Sequence, residues 1–161
     1  MDTSEAIAFK SLLLNQPVAA LATMHQEDPA VSMVPFAVLP DGTGIAIHVS
    51  QLATHTHDMM ADPRVALLVT GLPEDAETPL ALPRVSIQGR AHPCEPGSAE
   101  YQRARTAYLS KRPEAEELFS FADFSLFVIQ PTSVRYVAGF GRAMSLSPEA
   151  MQAVWGGRPE V

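Results

Sequence analysis

Apolar residues near the start of the chain recur at helical spacing, and the pattern then changes to the alternation of half-buried strands. Within residues 3–15, Ala6, Ile7, Phe9, Leu12, Leu13 and Leu14 predict an amphipathic entry helix, with Asp2, Thr3 or Ser4 to cap it. PVAALATM and AVSMVPFAVL, parted by the polar HQEDP, and GIAIHVS after the turn sequence PDGTG, read as an antiparallel meander. Pro35 has no N–H to give to a ladder, so its strand belongs at an edge or a bulge. Residues 52–61, LATHTHDMMA, predict a short helix capped by Thr54 and stopped by Asp62 and Pro63. RVALLVT reads as a buried strand. Residues 71–83 have loop composition, and RVSIQGRA resumes alternation with Val85 and Ile87 on one face. Residues 97–119 predict surface helices broken at Pro113, followed by a long strand or strand pair, FSLFVIQPTSVRYVAGFG, interrupted near Pro131. Ser147 ahead of Pro148 marks a last helix. Six strand-like segments joined mostly by short turns predict a mainly β fold, a six-stranded antiparallel barrel with flanking helices, as one domain over residues 1–161. A dinucleotide-binding α/β fold is disfavoured, because no G-x-G-x-x-G follows a strand.

Composition adds a partner to this picture. Charged residues make up only 18% of the chain against 47% hydrophobic, so part of the apolar surface is expected to meet a second chain. The net charge of −7, with no cluster of lysines or arginines, argues against nucleic acid and anionic membranes. No apolar run approaches the roughly 20 residues that cross a bilayer, the N-terminus is acidic, and Cys94 stands alone, so a reducing, cytoplasmic setting is expected.

Candidate chemistry concentrates in HVSQLATHTHDMMADPRVALLV. Ser50, Thr54, His55 and Thr56 gather hydroxyls and an imidazole where a strand feeds a helix, a setting suited to a phosphate group at the positive end of the helix dipole. The plainer alternative, which the residues by themselves favour, is that Thr54 caps the helix and the histidines face solvent. His55 and His57 are two apart and share no helix face, so no metal site is expected from them. His25, His48 and His92 read as ordinary surface or core histidines. Cys94 has an acidic neighbour, Glu95, that raises its pKa, and no G-x-S-x-G elbow marks a nucleophilic serine. Arg84, opening a strand, could reach a phosphate or a flavin edge or simply lie in solvent. Gly139 and Gly141 around Phe140 suit either a turn or a close approach.

In order along the chain, SMVPFA, VSQLATHTHDMMADPRVALLV, PRVSIQGRA and FADFSLFVIQPTSVRYVAGFGRA resemble the pyridoxamine 5'-phosphate oxidase-like FMN-binding split barrels, and among them the haem-utilisation branch, over residues 5–145. The resemblance implies a split β-barrel homodimer with FMN at the interface. Ser32, Met33, Val34, Pro35 and Phe36 would run beside the flavin ring and ribityl chain, Val49, Ser50, Thr54, His55 and Thr56 would bind the phosphate end, and Arg84 would touch the flavin. It also favours the phosphate reading of the ATHTH segment. The chain departs from the vitamin B6 oxidases by carrying Thr54 and His55 where they have an Arg-Lys pair, and Ser32 where they have arginine. Trp155 and Arg158 do not stand in the substrate-clamping context of those enzymes, so oxidation of vitamin B6 is disfavoured. The fuller haem-utilisation proteins carry a further C-terminal domain, which puts a haem ligand dependent on that extension in doubt here. The expected function is an FMN-dependent oxidoreductase or flavin reductase served by a nicotinamide electron donor. The alternative is a non-catalytic FMN- or haem-binding protein acting as sensor, store or haem-utilisation accessory.

Overall fold

A computed structural model describes residues 1–157. Helix α1, Thr3–Asn15, opens on a capping box in which the Asp2 carboxylate accepts from the Glu5 N–H and the Glu5 carboxylate accepts from the Asp2 N–H. Strands β1 (Val18–His25) and β2 (Asp28–Pro35) form a hairpin in full register, followed by β3 (Ala37–Val38) and β4 (Ile45–Ser50). Helix α2 (Thr54–Ala61) leads to β5 (Arg64–Thr70) and, past two single 3-10 turns, to β6 (Arg84–Pro93). Helix α3 (Ala99–Lys111) runs into a 3-10 segment, Pro113–Ser120, where Pro113 ends the α-helical pattern as expected. The long β7 (Phe124–Gly139), β8 (Arg142–Leu146) and α4 (Pro148–Gly156) complete the order. None of the described helices is long and apolar enough to cross a membrane.

The strands lie in the order β2-β1-β5-β6-β7-β4-β3, with β8 added to β7, and all pairings are antiparallel. The architecture is the expected split barrel, but eight strands replace the six expected. The difference arises because the stretch AVSMVPFAVL is split at Phe36 into β2 and β3, and because the pattern missed β8, a polar strand folded back from β7 through Gly141 at φ 75°. Pro35 closes the edge strand β2, as its missing donor requires. β7 passes through Pro131 as one strand with a bulge: Gln88 pairs with Ser133 and Gly89 with Pro131, which leaves Thr132 of β7 as the extra, unpaired residue. At Gly89 a Cβ would stand 2.5 Å from the Gln130 carbonyl oxygen, so only glycine fits there.

One row explains how the barrel buries its core. Leu21, Leu67, Ile87 and Val134 are partners across β1, β5, β6 and β7, and each is essentially inaccessible to solvent. Phe9 and Leu13 of α1 and Met151 of α4 close the same core. A second cluster seats Ala104 and Tyr108 of α3 over Ala46, Leu126 and Val128. β5 is not the doubly buried strand that RVALLVT suggested. Val65, Leu67 and Val69 turn inward while Leu68 stays 41% exposed, because the opposite face of this sheet carries no helix.

Candidate functional site

That uncovered face is built of two rows one residue away from the buried row. Met33, Ala20, Leu68, Ser86 and Arg135 are successive partners across β2, β1, β5, β6 and β7, and Val31, Ala22, Ala66, Gln88 and Ser133 run beside them. The face therefore grades from apolar at β2, where Val31 and Met33 are largely exposed, to polar and cationic at β7. A cleft of about 400 Å³ opens at one end, where Arg84 and Arg135 meet Leu68, Leu80 and Phe140. A second, of about 500 Å³, opens at the other end between β1 and β5, whose recorded pairing stops at Ala22 and Ala66, and it includes Met24, Arg64 and Arg90. Among the described residues, neither Arg90 nor Arg135 has a carboxylate partner.

The β4–α2 junction brings together part of the predicted constellation. Ser32 Oγ and His55 Nδ1 are 3.1 Å apart, joining β2 to the first turn of α2. Burial lowers the His55 pKa, opposed by the nearby Asp58 carboxylate, so the ring is held neutral at pH 7. Ser50 and Thr56 are present but engaged: Ser50 Oγ accepts from the Leu52 N–H at 3.1 Å, and Thr56 Oγ1 donates to the Ser50 carbonyl at 2.6 Å. Thr54 is not the cap. Ala53 holds the N-cap position and no side chain caps α2, because the loop from β4 reaches the helix one residue earlier than the hydroxyl pattern suggested. The hydroxyl of Thr54 is left exposed in the first turn.

The other predicted contacts divide by strand alternation. Val34, Phe36 and Val49 are core residues, whose side chains are turned away from any ligand on the outer face. Met33 is exposed, and Ser32 and Pro35 are half-buried. Arg84 donates to the Leu80 and Leu82 carbonyls at 3.2 and 3.0 Å, which fixes its position against the 3-10 turn at Pro79–Ala81. It stands on β6, three strands from Ser32 on β2, so one copy of the chain does not bring the two together. Trp155 packs against the core and Arg158 lies outside the described residues.

Two groups escaped the sequence pattern. Asp58, buried in α2, accepts from Thr23 Oγ1 at 3.0 Å and lies 2.7 Å from His25 Nδ1. His48 stacks face to face on Phe119, with centroids 3.8 Å apart, and its buried Nδ1 has no partner. Both depend on pairs far apart in the chain, and only hydrophobic residues at such separations had a periodic signal. The Cys94 thiol is pushed up to about 12 by burial first and then by the Glu100 carboxylate. The direction is the expected one, although Glu100 and not Glu95 supplies the charge. Among the described residues no three His, Cys, Asp or Glu side chains gather in a metal-binding cluster.

The fold and this junction can be set against known proteins. The sequence matches the family described as pyridoxamine 5'-phosphate oxidase over residues 6–138. The chain belongs to that family. Among its relatives, Non-canonical heme oxygenase HOZ, chloroplastic, of Arabidopsis thaliana is 40% identical over 132 residues, 82% of this chain and 39% of that protein. A heme binding protein from Mycobacterium smegmatis superposes with a TM-score of 0.82 at 31% identity, covering 95% of this chain and 61% of its own. HutZ, the heme storage protein of Vibrio cholerae, superposes with a TM-score of 0.70 over 78% of this chain and 88% of its own, and at 24% identity it speaks for the fold alone. The chain thus spans well under half of the Arabidopsis relative and about three-fifths of the mycobacterial one. The family's split barrel and the haem-utilisation branch that the motifs suggested are both matched.

Proposed function

We propose that this family member binds haem on the outer face of β1, β2, β5 and β6, as a homodimer in which two such faces meet. The observation that carries the reading is the make-up of that face. A planar apolar macrocycle bearing two carboxylates needs an apolar wall with cations at its margin, and here the wall of Ala20, Ala22, Ala66 and Leu68 runs into both clefts, Ala22 and Ala66 lining the one with Arg64 and Arg90 and Leu68 the one with Arg84 and Arg135. In a chain of net charge −7, five of its eleven basic residues line the two clefts, and of these Arg64 is paired with Asp62 and Arg142 with Glu5, which leaves Arg84, Arg90 and Arg135 without a carboxylate among the described residues. The Arabidopsis and mycobacterial relatives, both named for haem, support the same ligand. The exposed Val31 and Met33 are apolar surface that a second copy would cover.

A specific observation favours FMN as a second reading. The Ser32–His55 contact beside the uncapped start of α2, with Thr54 exposed, offers a phosphate a set of donors, and the separation of Arg84 from that junction suits a cofactor touched by two chains. In that case the chain would be an FMN-dependent oxidoreductase or flavin reductase taking electrons from a nicotinamide. Titrating the purified protein with hemin and, separately, with FMN distinguishes the two. Haem binding predicts a saturable Soret shift that weakens at least tenfold in Arg84→Glu/Arg135→Glu or Arg64→Glu/Arg90→Glu. Absence of a Soret shift would overturn the first reading, and saturable quenching of FMN fluorescence would then favour the second.

A further inference from the structure

The two ends of the outer face cease to be equivalent once their ion pairs are set out. At the end where β1 parts from β5, Arg64 gives Nε and Nη2 to the Asp62 carboxylate at 3.0 and 2.6 Å. Those bonds, with a weaker contribution from Arg90, bring the Asp62 pKa down to about 2, so an anion stands beside both arginines at neutral pH. That end offers one unpaired cation, Arg90, next to a fixed negative charge.

At the other end Arg142 is taken by Glu5, with Asp2 3.7 Å away, which leaves Arg84 and Arg135. Ser86 stands opposite Arg135 and Arg84 opposite Val137, so the two arginines are diagonal neighbours on the outward side of the β6–β7 pair. Such diagonals set Cβ atoms roughly 7 Å apart. Arg84 is also held in place: its Nη1 donates to the Leu80 and Leu82 carbonyls, which leaves the N–H groups of Nε and Nη2 for a ligand. The Ser86 hydroxyl lines the same cleft, and the exposed Leu80 and Phe140 give it an apolar rim.

The chemistry of the ligand decides between the ends. Both carboxylates of haem leave the same edge of the macrocycle, whereas Arg84 and Arg90 are six residues apart on β6, about 20 Å along an extended strand. One end therefore has to take both carboxylates. A pair of carboxylates is matched by two cations that have no carboxylate partner of their own, and is repelled by an anion such as Asp62. We propose that Arg84 and Arg135, with the Ser86 hydroxyl, hold both carboxylates of the macrocycle, so that the chain selects tetrapyrroles whose two carboxylates are free. The assignment rests on the haem reading given above and names which of the two arginine pairs confers this specificity.

The test is titration with hemin and hemin dimethyl ester, followed at the Soret band, and with iron-free protoporphyrin IX and its dimethyl ester, followed by porphyrin fluorescence. Wild type is expected to bind each free acid roughly tenfold or more tightly than its ester, the worth of about one charge-assisted hydrogen bond. Arg84→Gln/Arg135→Gln is expected to weaken the acids alone and bring acid and ester to within about threefold of each other, while Arg64→Gln/Arg90→Gln keeps the wild-type ratio. Arg84 also braces the turn at Pro79–Ala81, so Arg135→Gln by itself, at an exposed position, is tested as well and is expected to lower the ratio with native circular dichroism. A wild-type protein that takes up no hemin would overturn the haem reading and this assignment together. With hemin bound, equal affinity for acid and ester, a ratio lost in Arg64→Gln/Arg90→Gln instead, or a ratio seen with hemin and absent with the iron-free porphyrin would overturn the assignment alone.

Discussion

His48 gives the chain a pH-dependent stability that one substitution should remove. The imidazole sits on β4 against Phe119 of the 3-10 segment, Tyr108 of α3 and Phe124 of β7, and the cation of this cluster, Arg105, lies over the Phe119 ring 5.2 Å from its centroid. Burial lowers its pKa from 6.5 to about 4. Because the folded pKa is the depressed one, the unfolded chain binds the extra proton between pH 6.5 and 4, so stability is full above that window and falls as pH drops through it. At about 1.4 kcal/mol per pKa unit the ceiling is roughly 3 kcal/mol, and about 2 kcal/mol of it is lost between pH 7 and pH 5. His48→Phe keeps the stack on Phe119, removes the titration and also removes the unpartnered Nδ1, whose burial costs about 1–3 kcal/mol. Urea unfolding followed by circular dichroism at both pH values checks this. The wild-type protein should lose about 2 kcal/mol more than His48→Phe on going from pH 7 to pH 5. Equal losses in the two proteins would refute the assignment of the pH dependence to this ring.

Gly89→Ala should lower stability by about 1–3 kcal/mol, seen as a reduced urea midpoint at unchanged slope, because the added methyl meets the Gln130 carbonyl at the bulge. A neutral result would mean that the bulge can shift. Native Cys94 should react with iodoacetamide about a thousandfold more slowly than an ordinary thiol and regain full reactivity in urea, since its pKa is raised from 9.0 to about 12. Rapid alkylation of the folded protein would contradict its placement beneath α3.

Much of the barrel could be read from the sequence because its strands obey a local rule. Leu21, Leu67, Ile87 and Val134 each fall on the inward side of a strand, and alternation identifies such positions without knowledge of their partners. Capping was legible for the same reason at Asp2 and Ser147, each of which bonds an N–H three residues on, whereas the Ser98 cap of α3 was not singled out. The rule failed where an element was too polar to show a period, as in β8, and it did not show that β2 and β3 part at Phe36. It also failed for Thr54, where backbone entry and not residue type decided which position became the cap.

The candidate site was less legible because its decisive contacts are not periodic. Ser32 meets His55 across 23 positions and His25 meets Asp58 across 33, and nothing in either segment reveals its partner. The resemblance singled out Ser32 and His55 separately, one beside the flavin ring and the other at the phosphate end, without pairing them, and it passed over Asp58. Burial separates the two kinds of contact. Ser32 and His55 are half-buried polar residues that water could still serve, whereas Asp58 is a buried anion and its two donors are needed for its charge to be tolerated. Removing His25 takes away one of those two donors and leaves the buried carboxylate with Thr23 alone.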